Sequence, residues 1–415
     1  MSPASSGQPR PALAYALWLD ALTRAGWDAG PTTEQVPVAD ALGRVTAEPI
    51  VARWPSPRSD CSAMDGIAVR AARLTGGASA ADGSAVRLPA GTFAWIDTGD
   101  PMPAGADTVI VRERLLPQAD GSMVVTPASG AGQRAGRGAN VRTAGEDFRA
   151  GEALLPAGRR LRPGDLAAAA AGGHAAVTVA RRPVVAIIPT GDEIRPVGTV
   201  PRFGDIIDTN SLMLSARCRQ FGAESLVSAV VPDDPDALAV ELRRVAGQAD
   251  LVLVIAGSSR GRGDHAAAVL AQVGGVAVAG VAVRPGHPAL LGHAKRPEAG
   301  IAPVIGLPGY PLATAVIFEL FAVPVLAALS GLAPGRSAVR ARLDRDWSSP
   351  ADVEDWVLVR LAPAEAGGVP AATPGRRGAG SVSQLARADA WWPIPAGQCA
   401  FAVDSTIEVL PITGS

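Results

Sequence analysis

Two apolar runs without alternation stand in the middle of the chain: Val184-Val185-Ala186-Ile187-Ile188 and Leu251-Val252-Leu253-Val254-Ile255. Short β-branched runs of this kind fit parallel strands buried on both faces. The first breaks into Pro189-Thr190-Gly191-Asp192-Glu193, the second into Gly257-Ser258-Ser259-Arg260-Gly261-Arg262-Gly263-Asp264. From Arg182 to about Leu329 strands and helical stretches alternate, which predicts a parallel α/β domain. Within it, Asn210 is read as the N-cap of a helix over Ser211–Phe221, with Leu214, Cys218 and Phe221 on one face. Asp264 is read as the cap of the next helix, which ends at Gly274-Gly275. Pro311 opens a long helix that Pro324 should kink or split.

The flanks read differently. Pro11 to Arg24 is helical, with Gly26 past its end, and a short helix at Val38–Leu42 leads to a strand at Val45–Val51. From Arg53 to about Ala144 short β-prone pieces such as Val86–Leu88 and Thr108–Val111 alternate with Gly and Pro turns, which favours a β-rich domain. Asp165 is read as the cap of an alanine helix that stops at Gly172-Gly173. After Pro334, Trp356–Val359 and Thr406–Leu410 suggest a small all-β tail, with Ala364–Gly380 as a loop. The division expected is multidomain α/β and β. Residues 1–52 with 145–181 form an N-terminal helical or linker domain, 53–144 a β-rich insert, 182–332 the α/β domain and 333–415 a C-terminal β domain.

Composition narrows the function. With 415 residues, several cores are expected. A formal charge of -1 leaves no overall basic field for nucleic acid or anionic lipid. Cys61, Cys218 and Cys399 show no metal spacing, and a reducing, cytoplasmic setting follows. No signal pattern is read near Met1, and no apolar run is read as spanning a bilayer. Neither a P-loop nor a GxGxxG fingerprint is present in the required place, which disfavours P-loop NTPases and dehydrogenases. Ligands of open α/β sheets sit at the carboxyl ends of the strands. Glycine and carboxylate there suit a phosphate-bearing or oxyanion substrate with a hydrated metal. Arg260 and Arg262, on a glycine loop opening a helix, suit an anion. Asp65-Gly66 reads equally as a tight turn.

Several stretches, in order along the chain, resemble molybdopterin molybdenumtransferases, the family that includes the gephyrin E domain. Ser62-Ala63-Met64-Asp65-Gly66-Ile67-Ala68-Val69 is similar to its SAMDGYAV signature. Thr98-Gly99-Asp100-Pro101-Met102-Pro103, with Gly105-Ala106-Asp107 and Glu113, resembles its TG-x-P-x-P-x-GAD…E segment. Asn140-Val141-Arg142 with Gly145-Glu146-Asp147, then Thr190-Gly191-Asp192-Glu193, then Asp208-Thr209-Asn210 resemble N-x-R…GED, TGDE and D-x-N. Each string is weak; together they are specific. The resemblance implies a molybdopterin-binding type of α/β domain, a C-terminal β-barrel and an elongated homodimer with a site shared between protomers. It implies insertion of molybdate into adenylylated molybdopterin with release of AMP, dependent on Mg²⁺ or another divalent cation.

By the same resemblance Glu193, Asp233 and Asp264 are the metal-holding and catalytic acids, with Asp65, Thr98 and Arg284 as further catalytic residues. Substrate contacts fall on Asp147, Thr190, Gly191, Gly257, Ser258, Ser259, Arg260, Arg262, Pro285, Gly286, His287, Pro308, Gly309 and Tyr310. Exchange with other cofactor-biosynthesis proteins is expected, and no nucleic-acid or membrane partner. Where the family has GGVSVGD-x-D, K…KPGKP and LPGNP, this chain has the Gly257–Asp264 loop, Gly280 with Arg284-Pro285-Gly286-His287-Pro288, and Leu307-Pro308-Gly309-Tyr310-Pro311. One lysine has become glycine, one arginine and one histidine. Arg260 and Arg262 are then the candidate replacements for positive charge. Two alternatives stay open: a non-catalytic carrier or scaffold for the pterin, and a related transferase using tungstate or another nucleotide form.

Overall fold

The computed structural model describes residues 7–75, 85–127, 136–256, 262–332, 337–364 and 368–412, with residues 75 and 262–264 described for backbone only. Two compact units result: residues 1–34 with 180–415, and residues 35–179.

In the first unit, helix α1 (Pro11–Arg24) precedes a sheet built from β1 (Val184–Pro189), β2 (Glu224–Val227), β3 (Leu251–Ala256), β4 (Gly274–Ala279), β6 (Leu290–Lys295) and β7 (Ile301–Pro308). Its order is β2-β1-β3-β7-β6-β4. β2, β1, β3 and β7 run parallel, while β6 and β4 add antiparallel. The unalternating runs are explained by their two covered faces. Val185, Ile187, Leu251, Leu253 and Ile255 pack with Trp18, Leu214, Phe318 and Phe321. Ala186, Ile188, Val252 and Val254 pack with Leu238, Leu242 and Val269 on the other side. Each such aliphatic side chain contributes about 1.5–3 kcal/mol relative to exposure.

Several element ends differ from the sequence expectation. The helix α2 (Thr209–Gln220) is capped by Asp208, whose Oδ1 accepts from Ser211 N–H at 2.9 Å, so Asn210 lies inside it. After α3 (Pro235–Ala246), α4 (Arg262–Val273) begins before Asp264, which therefore sits in its first turn rather than at its cap. In the second unit Asp165 is the third residue of the helix Pro163–Ala171 and bonds back to the Arg162 N–H at 2.8 Å. Val38–Asp40 is a single 3-10 turn, and the expected strand shrinks to Ile50–Val51. Pro324 does split its helix. A π-helical turn over Phe318–Ala322 separates Pro311–Ile317 from Val323–Leu329, where the proline occupies the first turn. The stretch Pro311–Leu329 has 19 residues and contains an 18-residue window at mean hydropathy 2.3, long enough to cross a bilayer by length and composition, contrary to the sequence expectation. Of that window 78% is buried, which makes it the core helix of this unit.

The tail closes on itself. β8 (Val339–Leu343), β9 (Glu354–Ala362), β10 (Ala371–Pro374), β11 (Ala390–Ile394) and β12 (Thr406–Pro411) form a barrel in the order β9-β10-β8-β12-β11, with β11 returning to β9. β10 lies within the expected loop; its Ala-Ala-Thr-Pro sequence lacks the β-branched run that marks a strand. Val357 and Val359 point into the barrel core, while Trp356, Leu358 and Trp391 join the core of the α/β sheet. β5 (Val283–Arg284) pairs in parallel with β9 and ties the two together.

The second unit is β-rich as expected. Gly66–Val69 is flanked by Ala94–Ile96 and Thr108–Val111 in one antiparallel sheet, and Val86–Leu88, Met123–Val125 and Leu115–Pro117 form another.

Candidate active site

At the end of β1 the chain turns sharply. Thr190 donates through N–H (3.0 Å) and Oγ1 (2.9 Å) to the Ile255 carbonyl, which pins this turn to the end of β3. Gly191 follows at φ +136, and an added Cβ would meet Glu193 Oε2 at 3.0 Å and Ile194 Cγ1 at 2.9 Å. Glycine is needed there so that Glu193 can fold back over the turn. Asp192 Oδ1 accepts from the Asp233 N–H at 3.3 Å, which brings the Asp233 loop to the same strand end. Asn210 Nδ2 donates to the Gly309 carbonyl at 2.7 Å and so fixes the end of β7. Thr190, Gly191, Glu193, Asp233 and Gly309 thus lie at the carboxyl ends of the parallel strands.

Next to the β7 end, Pro308 and Tyr310 line a cavity of about 420 Å³ together with Arg284, Pro285, Gly286 and His287. The opposite wall is the barrel's: Trp347, Asp355, Trp356, Arg376 and Arg377. Sequence reasoning missed these five. The Gly375-Arg376-Arg377-Gly378 loop carries the same arginine-and-glycine signal that marked Arg260 and Arg262, but it fell in a segment read as a plain loop. Gly286, at φ +123, packs so closely that a Cβ would lie 2.8 Å from Ile317 Cδ1.

Gly257, Ser258, Ser259 and Arg260 lie outside the described residues, as do the side chains of Arg262 and Asp264. Among the described residues no group of three or more His, Cys, Asp or Glu is placed to hold a metal ion.

Gly280 has its own reason to lack a side chain. Its φ is +86, and a Cβ would fall 2.1 Å from Gln8 Nε2. A lysine there would displace Gln8 and strain the backbone. Gly280→Lys is therefore expected to lower stability by about 1–3 kcal/mol without raising activity. Urea midpoints measure this, and an unchanged midpoint would contradict it.

In the second unit, Asp65 Oδ1 accepts from both the N–H and the Oγ1 of Thr98, each at 2.7 Å. Those two bonds, with Arg112 nearby, hold the Asp65 carboxyl below its ordinary pKa. The lowered pKa means that the interaction is present above the usual carboxylate range and fades as pH falls through the folded value. Thr98→Val is expected to return the Asp65 titration upward toward that range, read by carboxyl NMR. Asp147 sits on an exposed turn where its N–H donates to the Ser56 carbonyl at 3.0 Å; Arg142 pairs with Glu146 at 2.6 Å.

Residues 12–173 match the family described as MoeA N-terminal region (domain I and II), 186–328 the probable molybdopterin binding domain, and 340–412 the MoeA C-terminal region (domain IV). A molybdopterin molybdenumtransferase of Nostoc sp. is 34% identical over 322 residues, 74% of this chain and 72% of the relative. The chain belongs to the molybdopterin molybdenumtransferase family. The transferase of Bacillus subtilis is 32% identical over 402 residues, covering 92% of this chain and 90% of its own length. A solved molybdopterin biosynthesis MoeA protein from Pyrococcus horikosii matches with TM-score 0.82 at 29% identity, over 99% of this chain and 100% of its own. The family's TGDE turn and the expected α/β, β-rich and barrel parts are all found in this fold.

Proposed function

We propose that this member of the molybdopterin molybdenumtransferase family inserts molybdate into the dithiolene of adenylylated molybdopterin and releases AMP. The observation that carries this reading is the pairing of two features at the carboxyl end of the parallel sheet. One is the Thr190–Glu193 turn with Asp233; the other is the cavity of about 420 Å³ between Arg284 and the barrel arginines. Both reactants are anions, so guanidiniums must offset their mutual repulsion. Arg284, with Arg376 and Arg377, supplies that charge, helped by Arg260 and Arg262. Pro285, Gly286, His287, Pro308, Gly309 and Tyr310 shape the wall, and Trp347 and Trp356 offer flat apolar surface to a ring. Thr190, Gly191, Gly257, Ser258, Ser259 and Asp147 complete the substrate contacts in this reading.

Glu193, Asp233 and Asp264 are assigned to a divalent cation, in this reading Mg²⁺, since carboxylate oxygens suit so hard an ion. When bound, it would screen the phosphoanhydride. Treatment with a chelator should abolish AMP release and added Mg²⁺ restore it; full activity in the chelator would remove the metal from this account. The chain is taken to act as a homodimer, with Asp65 and Thr98 supplied by a second copy, and to exchange its pterin with other cofactor-biosynthesis proteins. Its parts are taken as 1–52 with 145–181, 53–144, 182–332 and 333–415. The test of the whole is AMP release from adenylylated molybdopterin given molybdate or tungstate. No turnover with either sinks it. A carrier without catalysis is favoured by the uncharged Gly280 and the rewritten Ser258-Ser259 sequence; pterin binding without AMP release would decide for it.

A further inference from the structure

The barrel carries a second concavity that the reading above leaves unused. Its volume is about 480 Å³, and it adjoins the arginine cavity, sharing Leu358, Gly375 and Arg376 with it. Arg345, Arg360, Arg376 and Arg387 line it, and no acid among the described residues does. The backbone gathers these arginines from four separate stretches. Arg360 stands opposite Thr373 in the β9–β10 ladder. Gly375 N–H donates to the Leu358 carbonyl at 2.8 Å, which brings Arg376 alongside the same strand. Arg387 ends the helix Val382–Arg387. Asp389 then ties the chain to both neighbours of Arg360, donating to the Val359 carbonyl at 2.9 Å and accepting from Leu361 N–H at 2.8 Å. Arg345 has a counter-charge, since its Nε lies 3.1 Å from Asp344 Oδ1. Arg360, Arg376 and Arg387 form no ion pair among the described residues.

We propose that this groove binds a ligand with two linked phosphate groups, at a site separate from the transferase reaction and independent of that reading. Like charges crowded around one concavity repel one another, and Arg360, Arg376 and Arg387 have no acid to offset this. A polyanion removes the repulsion, and guanidinium forks take phosphate oxygens two at a time. One phosphate group carries about −1.5 to −2 at neutral pH, less than these arginines together. A second, linked group supplies the remainder. The formal charge of -1 gives the chain no wide basic field, so the attraction is confined to the concavity. That favours a small ligand over a nucleic-acid strand. Because Arg376 also lines the arginine cavity, an occupant of the groove draws one guanidinium away from it.

Titration calorimetry of the whole chain with inorganic pyrophosphate, at about 0.15 M salt, tests this. Arg284→Ala serves as the background, so that binding in the neighbouring cavity is weakened and the groove is read. Pyrophosphate should bind at least about ten-fold more tightly than inorganic phosphate. Adding Arg360→Gln and Arg387→Gln should weaken it at least about 100-fold, since each removes charged hydrogen bonds. Both side chains are exposed, so the melting temperature should stay within about 2 °C. ADP titrated in parallel separates two sources of the same group. Equal or weaker affinity assigns free diphosphate and tighter binding a nucleoside diphosphate; both uphold the site. Pyrophosphate binding that is absent, or unchanged by the two glutamines, overturns the proposal. So does a single-stranded oligonucleotide that displaces pyrophosphate at equal phosphate concentration. AMP release by the otherwise wild-type chain carrying both glutamines should match the parent's when no pyrophosphate is added. A loss there would make the groove part of the transferase site and overturn its separateness.

Discussion

Glu193→Gln should lower AMP release at least about 100-fold while leaving the thermal midpoint within about 2 °C of the parent. The carboxylate is half-buried at the end of β1, folded over Gly191 on a turn whose backbone is pinned to Ile255. The backbone bonds that hold the turn involve Thr190, Gly191 and Ile194, and the amide variant leaves them untouched. What it removes is a negative charge and an oxygen donor suited to a hard cation. Raising the Mg²⁺ concentration should recover part of the loss if weakened metal binding is its cause. Full activity of Glu193→Gln would exclude this strand end from the chemistry. A fall in activity that merely tracks a fall in stability would do the same.

Gly66→Ala should be the most damaging single methyl in the second unit. A Cβ at Gly66 would sit 1.8 Å from the Ile110 carbonyl oxygen and 2.8 Å from its carbon. Both are backbone atoms of the adjacent strand, so no rotamer relieves the clash. Gly66 also lies in the middle strand, opposite Ile96 on one side and Val111 on the other. Opening one ladder strains the second. A loss of at least about 3–5 kcal/mol is expected, near the limit of what a domain of ordinary stability tolerates. Soluble yield and melting temperature measure it, and an alanine variant melting like the parent would show the strand spacing to be softer than drawn. Asp65 precedes this glycine, so the Asp65–Thr98 bonds should be lost with it.

How far the sequence spoke for the structure depends on where each signal lay. The runs at Val184 and Leu251 were legible because residues buried on both faces leave no polar alternation. Glu193 was legible as a carboxylate just past such a run. Helix caps were less so: Asp208 and Asn210 both have cap chemistry, and only the backbone decides for Asp208. The strand Ala371–Pro374 was hidden by its small residues, and with it the barrel wall of the cavity. Arg377 and Asp355 are far from Arg284 along the chain. Asp355 meets it through the β5–β9 pairing, and Arg377 follows by its ion pair with Asp355, neither of which a local pattern announces. The lysine missing at Gly280 read as a lost charge; the position of Gln8 makes it also a matter of space.

The barrel's outward-facing Trp356, Leu358 and Trp391 are shared property of the α/β core. Cutting the chain after the long helix would strip that oily seam bare, so the remaining piece should stick to itself rather than survive as a minimal enzyme. Heating should likewise melt sheet and barrel in one step, with no stage at which the tail comes away first.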